Sequence, residues 1–353
     1  MRRIRVDLAG VVWSVLAGCH PASSQATDAT EADGIACEIP AQGLPDDVFC
    51  TGLYENRDPG QIAADVMPYK PGVVLWSDGA EKRRFLYLPS GTTIDTQDLD
   101  VWKFPVGTKA WKEFRVDGVL VETRFFWKRG VSDWESGTYV WDDAGQGHLN
   151  TSTTPILLAS GYEIPIAKDC GKCHHGGADK LLGIEAVALG LPTAEGATLT
   201  ALAADGWLSH PPARTTVELP ADATGKAGPA LGFLHANCGM PCHSTRGLGH
   251  ETELVLRLRA GEFWPADGGA DPPPVDAAQT DAYQATIKQM PTTASVAQKF
   301  PDALRITPGA HDQSLVWLMS NRRDDYAMPP LVSHKIDEAS MQALGDWIDA
   351  LSP

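Results

Sequence analysis

The sequence predicts an α+β multidomain chain, a mostly-β, sandwich-like N-terminal domain followed by α-helical segments. Three observations carry this. Residues 37–155 hold short runs of strand formers bounded by Gly, Pro, Asp and Ser, such as Val73-Val74-Leu75-Trp76 and Arg84-Phe85-Leu86-Tyr87-Leu88. Residues 181–191 and 197–208 are rich in Ala and Leu and read as short helices. Near the C-terminus Met341, Leu344, Trp347, Ile348 and Leu351 fall on one helical face. A length of 353 residues, 43% hydrophobic and 21% charged, suits two or three globular domains.

The first segment, 1–18, does not read as part of a fold. Arg2, Arg3 and Arg5 precede an apolar stretch too short for a bilayer-spanning helix. It ends Leu16-Ala17-Gly18-Cys19, which resembles the lipobox of bacterial lipoproteins, whose Cys is acylated once the signal peptide is removed. The resemblance implies a lipid on Cys19 and attachment to the membrane in the cell envelope, facing the periplasm or exterior. His20 in place of Asp points to the outer membrane. Residues 19–36 are small and polar and read as a flexible tether.

Within 37–155 the clearest element is a hairpin from Trp111 to Trp127, with Asp117-Gly118 as its type I′ turn. Its apolar residues alternate with Glu113, Arg115, Glu122 and Arg124, as in a sheet with one wet face. Six of the eleven Trp lie in this domain and read as core rather than as a carbohydrate platform. Asp78, Glu81, Lys82, Arg83 and Arg84 read as a solvated face or as internal ion pairs.

Seven Cys divide unevenly. Cys19 takes lipid, and Cys37 and Cys50 are left to pair in an oxidising compartment, worth roughly 3 kcal/mol for a loop of this length. The other four form two motifs. Cys170-Gly171-Lys172-Cys173-His174, in segment 156–230, has the C-x-x-C-H pattern of covalent haem attachment. Two thiols add to the vinyl groups on one porphyrin edge, and the next residue, His174, supplies an imidazole to iron. Cys238-Gly239-Met240-Pro241-Cys242-His243, in segment 231–353, has one extra residue between its thiols, which Gly239 and Pro241 can accommodate in a turn. Two haem c groups are expected. Four Cys in two pairs also suit one zinc ion, but zinc does not need the His that follows each pair.

Met328-Pro329-Pro330 precedes the C-terminal helix and resembles the distal-ligand loop of class I cytochromes c, which implies Met328 as the second axial ligand at His243. Met290, before Pro291, is the alternative. The first motif has no such Met, leaving His210, His235, His250 or an open position. Leu234-His235-Ala236-Asn237-Cys238, Ala327-Met328-Pro329-Pro330-Leu331, Leu75-Trp76-Ser77-Asp78-Gly79-Ala80-Glu81-Lys82-Arg83, Phe104-Pro105-Val106-Gly107-Thr108-Lys109 and Glu122-Thr123-Arg124 together resemble proteobacterial diheme c-type cytochromes with a fused N-terminal β domain. The resemblance spans roughly 40–350 and implies a cytochrome c-like fold for 231–353.

A formal net charge of -16 speaks against a nucleic-acid partner and suits a basic redox partner protein. No serine-hydrolase triad, phosphate loop or H-E-x-x-H motif is present. The expected function is single-electron transfer between exported redox partners. A peroxidase-like haem enzyme with an open first haem, or a zinc-binding or partner-binding lipoprotein, is the alternative.

Overall fold

Asp117 and Gly118 both take positive φ, 51° and 79°, and so make the type I′ turn that an Asp-Gly pair favours. The computed structural model describes residues 36–175, 179–264 and 275–353. Six strands run as an antiparallel meander: β1 (Met67–Lys70), β2 (Glu81–Tyr87), β3 (Lys109–Val116), β4 (Val119–Lys128), β5 (Trp134–Trp141) and β6 (Gly147–Leu149). A separate ribbon pairs β7 (Ile156–Leu157) with β8 (Glu163–Ile164). Last, β9 (Glu195–Gly196) returns to β1, giving the order β6-β5-β4-β3-β2-β1-β9. The helices are short: α1 (Ala167–Cys173), α2 (Ala186–Gly190), α3 (Leu199–Ala204), α4 (Ala227–Leu234), α5 (Ala260–Phe263), α6 (Asp281–Gln284), α7 (Ala294–Lys299), α8 (Leu315–Ser320) and α9 (Glu338–Ala350). The chain is thus mixed α+β, with its large sheet in the N-terminal half and its longest helix at the C-terminus.

The sandwich expectation gives way to one seven-stranded sheet covered on both faces by other segments. Residues 44–66 cover one face, packing Val48, Leu53 and Tyr54 on Phe85, Trp111, Phe125 and Tyr139. The opposite face is apolar at two ends. Leu86 and Ala110 meet residues 184–208 at one end, and Phe114 meets Tyr162 and Ile164 at the other. The charged residues of the hairpin are therefore not a wet stripe. Glu113 and Glu122 are fully buried, and each is answered from within. Tyr54 donates to Glu113 at 2.7 Å, while Arg124 and Tyr162 donate to Glu122 at 2.7 and 2.6 Å. Trp111 pairs with Phe125, so alternation along β3 puts Phe114 on the face opposite Phe125, and the bulge follows between Phe114 and Arg115.

The C-terminal core joins α4 to α9. Asp337 caps α9 by accepting from the Ser340 amide, and Met341, Leu344, Trp347 and Ile348 bury its apolar face. The middle segment serves both cores: Ile184, Ala186 and Leu189 pack with the sheet, while Val187, Leu191 and Val217 pack with α4 and α9. Cys37 and Cys50 form a disulfide with Cα atoms 5.3 Å apart. The signal segment 1–18, Cys19 and all but the last residue of the 19–36 tether lie outside the described residues. Among the described residues no helix is long and apolar enough to cross a membrane.

Burial pushes the ammonium groups of Lys82 and Lys109 down to about 8. Unfolded, they hold their proton up to about 10.4. Between these values the unfolded chain binds more protons, so stability should rise with pH from about 8 to 10. Tyr69, raised by burial to about 12, then reverses the trend above about pH 10, where only the unfolded chain loses that proton. Thermal melts across this range should show the rise, and a Lys82→Met, Lys109→Met variant should reduce it.

Candidate functional site

Both Cys motifs open onto one cavity of about 570 Å³, walled on one side by the sheet and on the other by α1, the turn after α4 and the loop following α8. In α1, Cys170 and Cys173 sit one turn apart, and the His174 amide closes onto the Cys170 carbonyl at 3.0 Å. In the second motif the extra residue is absorbed by a π turn, His235–Gly239, that continues α4. The His243 amide then reaches the Cys238 carbonyl at 2.7 Å, one residue further round but to the same effect. Gly239 is required there: a Cβ would lie 2.4 Å from the Arg257 backbone nitrogen. Cys173 and Cys242, one from each motif, lie against each other. Their contact holds the Cys173 thiol below its ordinary value and raises that of Cys242.

The two motif histidines share one tautomer. Nδ1 of His174 meets the Lys180 carbonyl, which can only accept, so Nδ1 carries the hydrogen and the Nε2 lone pair is free. The ring rests on Phe126 with centroids 4.4 Å apart. Nδ1 of His243 lies 3.3 Å from Thr252 Oγ1, whose own hydrogen is given to the Gly249 carbonyl at 2.6 Å. His243 is thus the donor, and its Nε2 is free as well. Burial pushes His174 down to about 4 and lowers His243, so both are neutral near pH 7, as metal-binding imidazoles must be. A fixed Nδ1–H with a free Nε2 is the arrangement of a metal-ligating histidine held from behind.

Behind His174 stands a buried network that the motif did not reveal. Asp179, next to Lys180, accepts from Lys128 Nζ at 2.6 and 2.8 Å, from Trp134 Nε1 at 2.8 Å and from the Phe104 amide at 2.5 Å. It pins the segment that carries the Lys180 carbonyl to the end of β4.

Met328 lines the cavity, and its amide donates to the Met319 carbonyl at 2.8 Å. Met319, at the end of α8, lines it too and was not singled out from the sequence. Met290 is 55% exposed and outside the lining. Of the histidines weighed for the first motif, His210 and His250 are also outside it. His235 lies at the wall but has both ring nitrogens engaged. The Leu258 amide donates to Nδ1 at 3.0 Å, and Nε2 donates to Glu185 Oε1 at 3.3 Å. Burial alone would raise Glu185, but His235 and other partners outweigh it and hold the carboxylate low. His235 therefore ties α2 to the second motif and keeps no lone pair for iron.

Among the described residues no three His, Cys, Asp or Glu side chains gather around one point, which a structural zinc ion requires. No family model matches the chain, and no curated protein or solved structure does.

Proposed function

We propose that the chain is an exported diheme c-type cytochrome that passes single electrons between redox partners in the cell envelope, as its likeness to diheme cytochromes with a fused β domain suggests. The observation that carries this reading is the convergence of two Cys–His motifs on one cavity, each with a neutral imidazole whose Nε2 is free. The residues fit haem better than zinc, because haem asks for two thiols and one imidazole at each motif and for no fourfold cluster. Haem iron, when bound, supplies reversible one-electron exchange. Cys170 and Cys173, and Cys238 and Cys242, hold the two groups. His174 and His243 would each give an imidazole to iron, with Lys180 and Thr252 fixing their orientation. Met328 serves at the second site. The contact of Cys173 with Cys242 puts the two attachment points side by side, which suits rapid exchange. A lipid on Cys19 anchors the chain to the outer membrane, and its charge of -16 suits a partner with a basic face.

The test is expression with the haem-maturation machinery. Haem stain should survive a denaturing gel, at two haems per chain by pyridine haemochrome. Cys170→Ala with Cys173→Ala should leave one haem, as should Cys238→Ala with Cys242→Ala, and the fourfold variant none. An unstained parent, or a stained fourfold variant, would overturn the proposal.

One observation favours a second reading, a haem enzyme. With His235 engaged and His210 and His250 outside the cavity, the first motif has no assigned distal ligand among the described histidines. A high-spin ferric signal that changes on adding cyanide or peroxide would support catalysis at that site, and two low-spin signals would support relay alone.

A further inference from the structure

The register of the sheet stacks three cations. Arg84 of β2 lies directly opposite Lys112 of β3, and Lys112 directly opposite Arg124 of β4. Like charges in directly opposed positions repel, and this row lies between two apolar patches on the cavity face. Only Arg124 has a carboxylate, bound by two contacts to Glu122 at 2.7 and 3.1 Å. Among the described residues Arg84 and Lys112 have no hydrogen-bond or ion-pair partner, although Arg84 is only 6% exposed. Both line the cavity. A buried cation without a counter-charge is costly; half-buried Lys112 has only the Phe114 ring, 4.8 Å from its ammonium, and buried Arg84 beside it has no carboxylate, so the pair marks the place of an anion.

Resting on the reading above, we propose that Arg84 and Lys112 form an anion site that takes the propionate carboxylates of the haem held by Cys170, Cys173 and His174. Three observations select this anion. Arg84, Lys112 and Arg124 line the same cavity as Cys170, Cys173 and His174, and the His174 ring rests on Phe126, two residues along the strand from Arg124, so the row borders the first motif. The helix of Cys170, α1, packs against β5, the neighbour of the Arg124 strand β4, while Arg84 lies two strands further from Arg124, about 10 Å at ~4.8 Å per strand. A porphyrin fastened by its vinyl edge carries its carboxylates on the edge away from the thioethers, which is the Arg84 end. The planar guanidinium of Arg84 suits a carboxylate in bidentate fashion, and Lys112 supplies a point charge beside it.

The haem-loaded chain tests this. Arg84→Gln and Lys112→Gln should keep covalent haem, because the thioethers are untouched. Each should shift the propionate carboxylate bands in the infrared difference spectrum. Each should also move one haem about tenfold toward the ferric form at a fixed poise, about 59 mV for a one-electron couple, since a lost cation disfavours added negative charge. Arg84→Lys should restore most of the shift, and Arg83→Gln, on the opposite face of the same strand, should cause none. Should Arg84→Gln fail to fold, Lys112→Gln decides alone. Loaded variants with unchanged bands and potentials would overturn the propionate site while leaving the cytochrome reading intact. A parent chain without covalent haem would overturn both.

Discussion

Replacing Asp179 with Ala should lower the unfolding free energy by about 3–5 kcal/mol, the usual cost of removing one partner of a buried ion pair. Both side chains of the Lys128–Asp179 pair are almost fully buried, at 4% and 3% exposure. Without Asp179, the Lys128 ammonium keeps only the Phe104 carbonyl at 2.8 Å, and the Trp134 indole and the Phe104 amide lose their acceptor. A urea titration measures the loss, and a shift worth under about 1 kcal/mol would contradict the network as described. A Lys128→Met, Asp179→Leu double variant should recover most of the stability, because it removes the stranded charge along with its partner. The same variant separates two roles. The Lys180 carbonyl next door holds His174, so Asp179→Ala should also disturb the spectrum of the first haem in the loaded protein, and the double variant, though stable, should not fully restore it.

Replacing Asp78 with Ala should free the loop that follows Met328. The Asp78 carboxylate accepts from the His334 amide at 2.8 Å and the Lys335 amide at 3.0 Å, with the Ser333 hydroxyl at 3.4 Å. Hydrogen bonds to a charged group contribute about 1.5–3 kcal/mol each. Amide exchange at His334 and Lys335 should therefore accelerate on the order of 100-fold, at about 1.4 kcal/mol per decade, while the amides of β3 and β4 keep their protection. Exchange unchanged at these two amides would show that other contacts hold the loop. Trp76 and Arg323, which both donate to the Lys335 carbonyl at 3.0 and 2.6 Å, are the contacts to examine then. Asp78→Asn, which keeps the shape and an acceptor oxygen, should lie between the two.

These two carboxylates show how the site is divided between local and distant chain. The motif positions, the Asp117-Gly118 turn and the C-terminal helical face were legible because each depends on neighbours within a few residues. Several phrases that read as family resemblance have a plain structural use. Asn237, just before Cys238, accepts from the Trp76 amide at 2.6 Å and donates to the Phe233 carbonyl at 3.1 Å. It thus latches residues 74–76 to the second motif. Asp78, two residues on, latches the loop after Met328. The charged cluster at 78–84 is therefore divided: Glu81 is exposed, Arg83 makes an internal ion pair with Glu113, and Arg84 lines the cavity. Its members alternate along an extended strand, so Arg83 points to Glu113 while Arg84 points into the cavity.

The sequence by itself determined where the two thiol pairs and the imidazole after each of them stand, because that grouping is set by spacing along the chain. It also determined the hairpin and the α+β order, which rest on backbone preferences and short-range periodicity. Only the tertiary structure decided what surrounds those groups. Whether a charged strand residue meets water, a carboxylate or a cavity depends on which distant segment covers that face of the sheet, and periodicity is blind to this. The same holds for His235, whose two nitrogens are claimed by Leu258 and Glu185, residues 23 and 50 positions away. Alternation along a strand says that a side chain points to one face or the other. The packing of segments remote in sequence decides whether that face is solvent, core or the wall of a site.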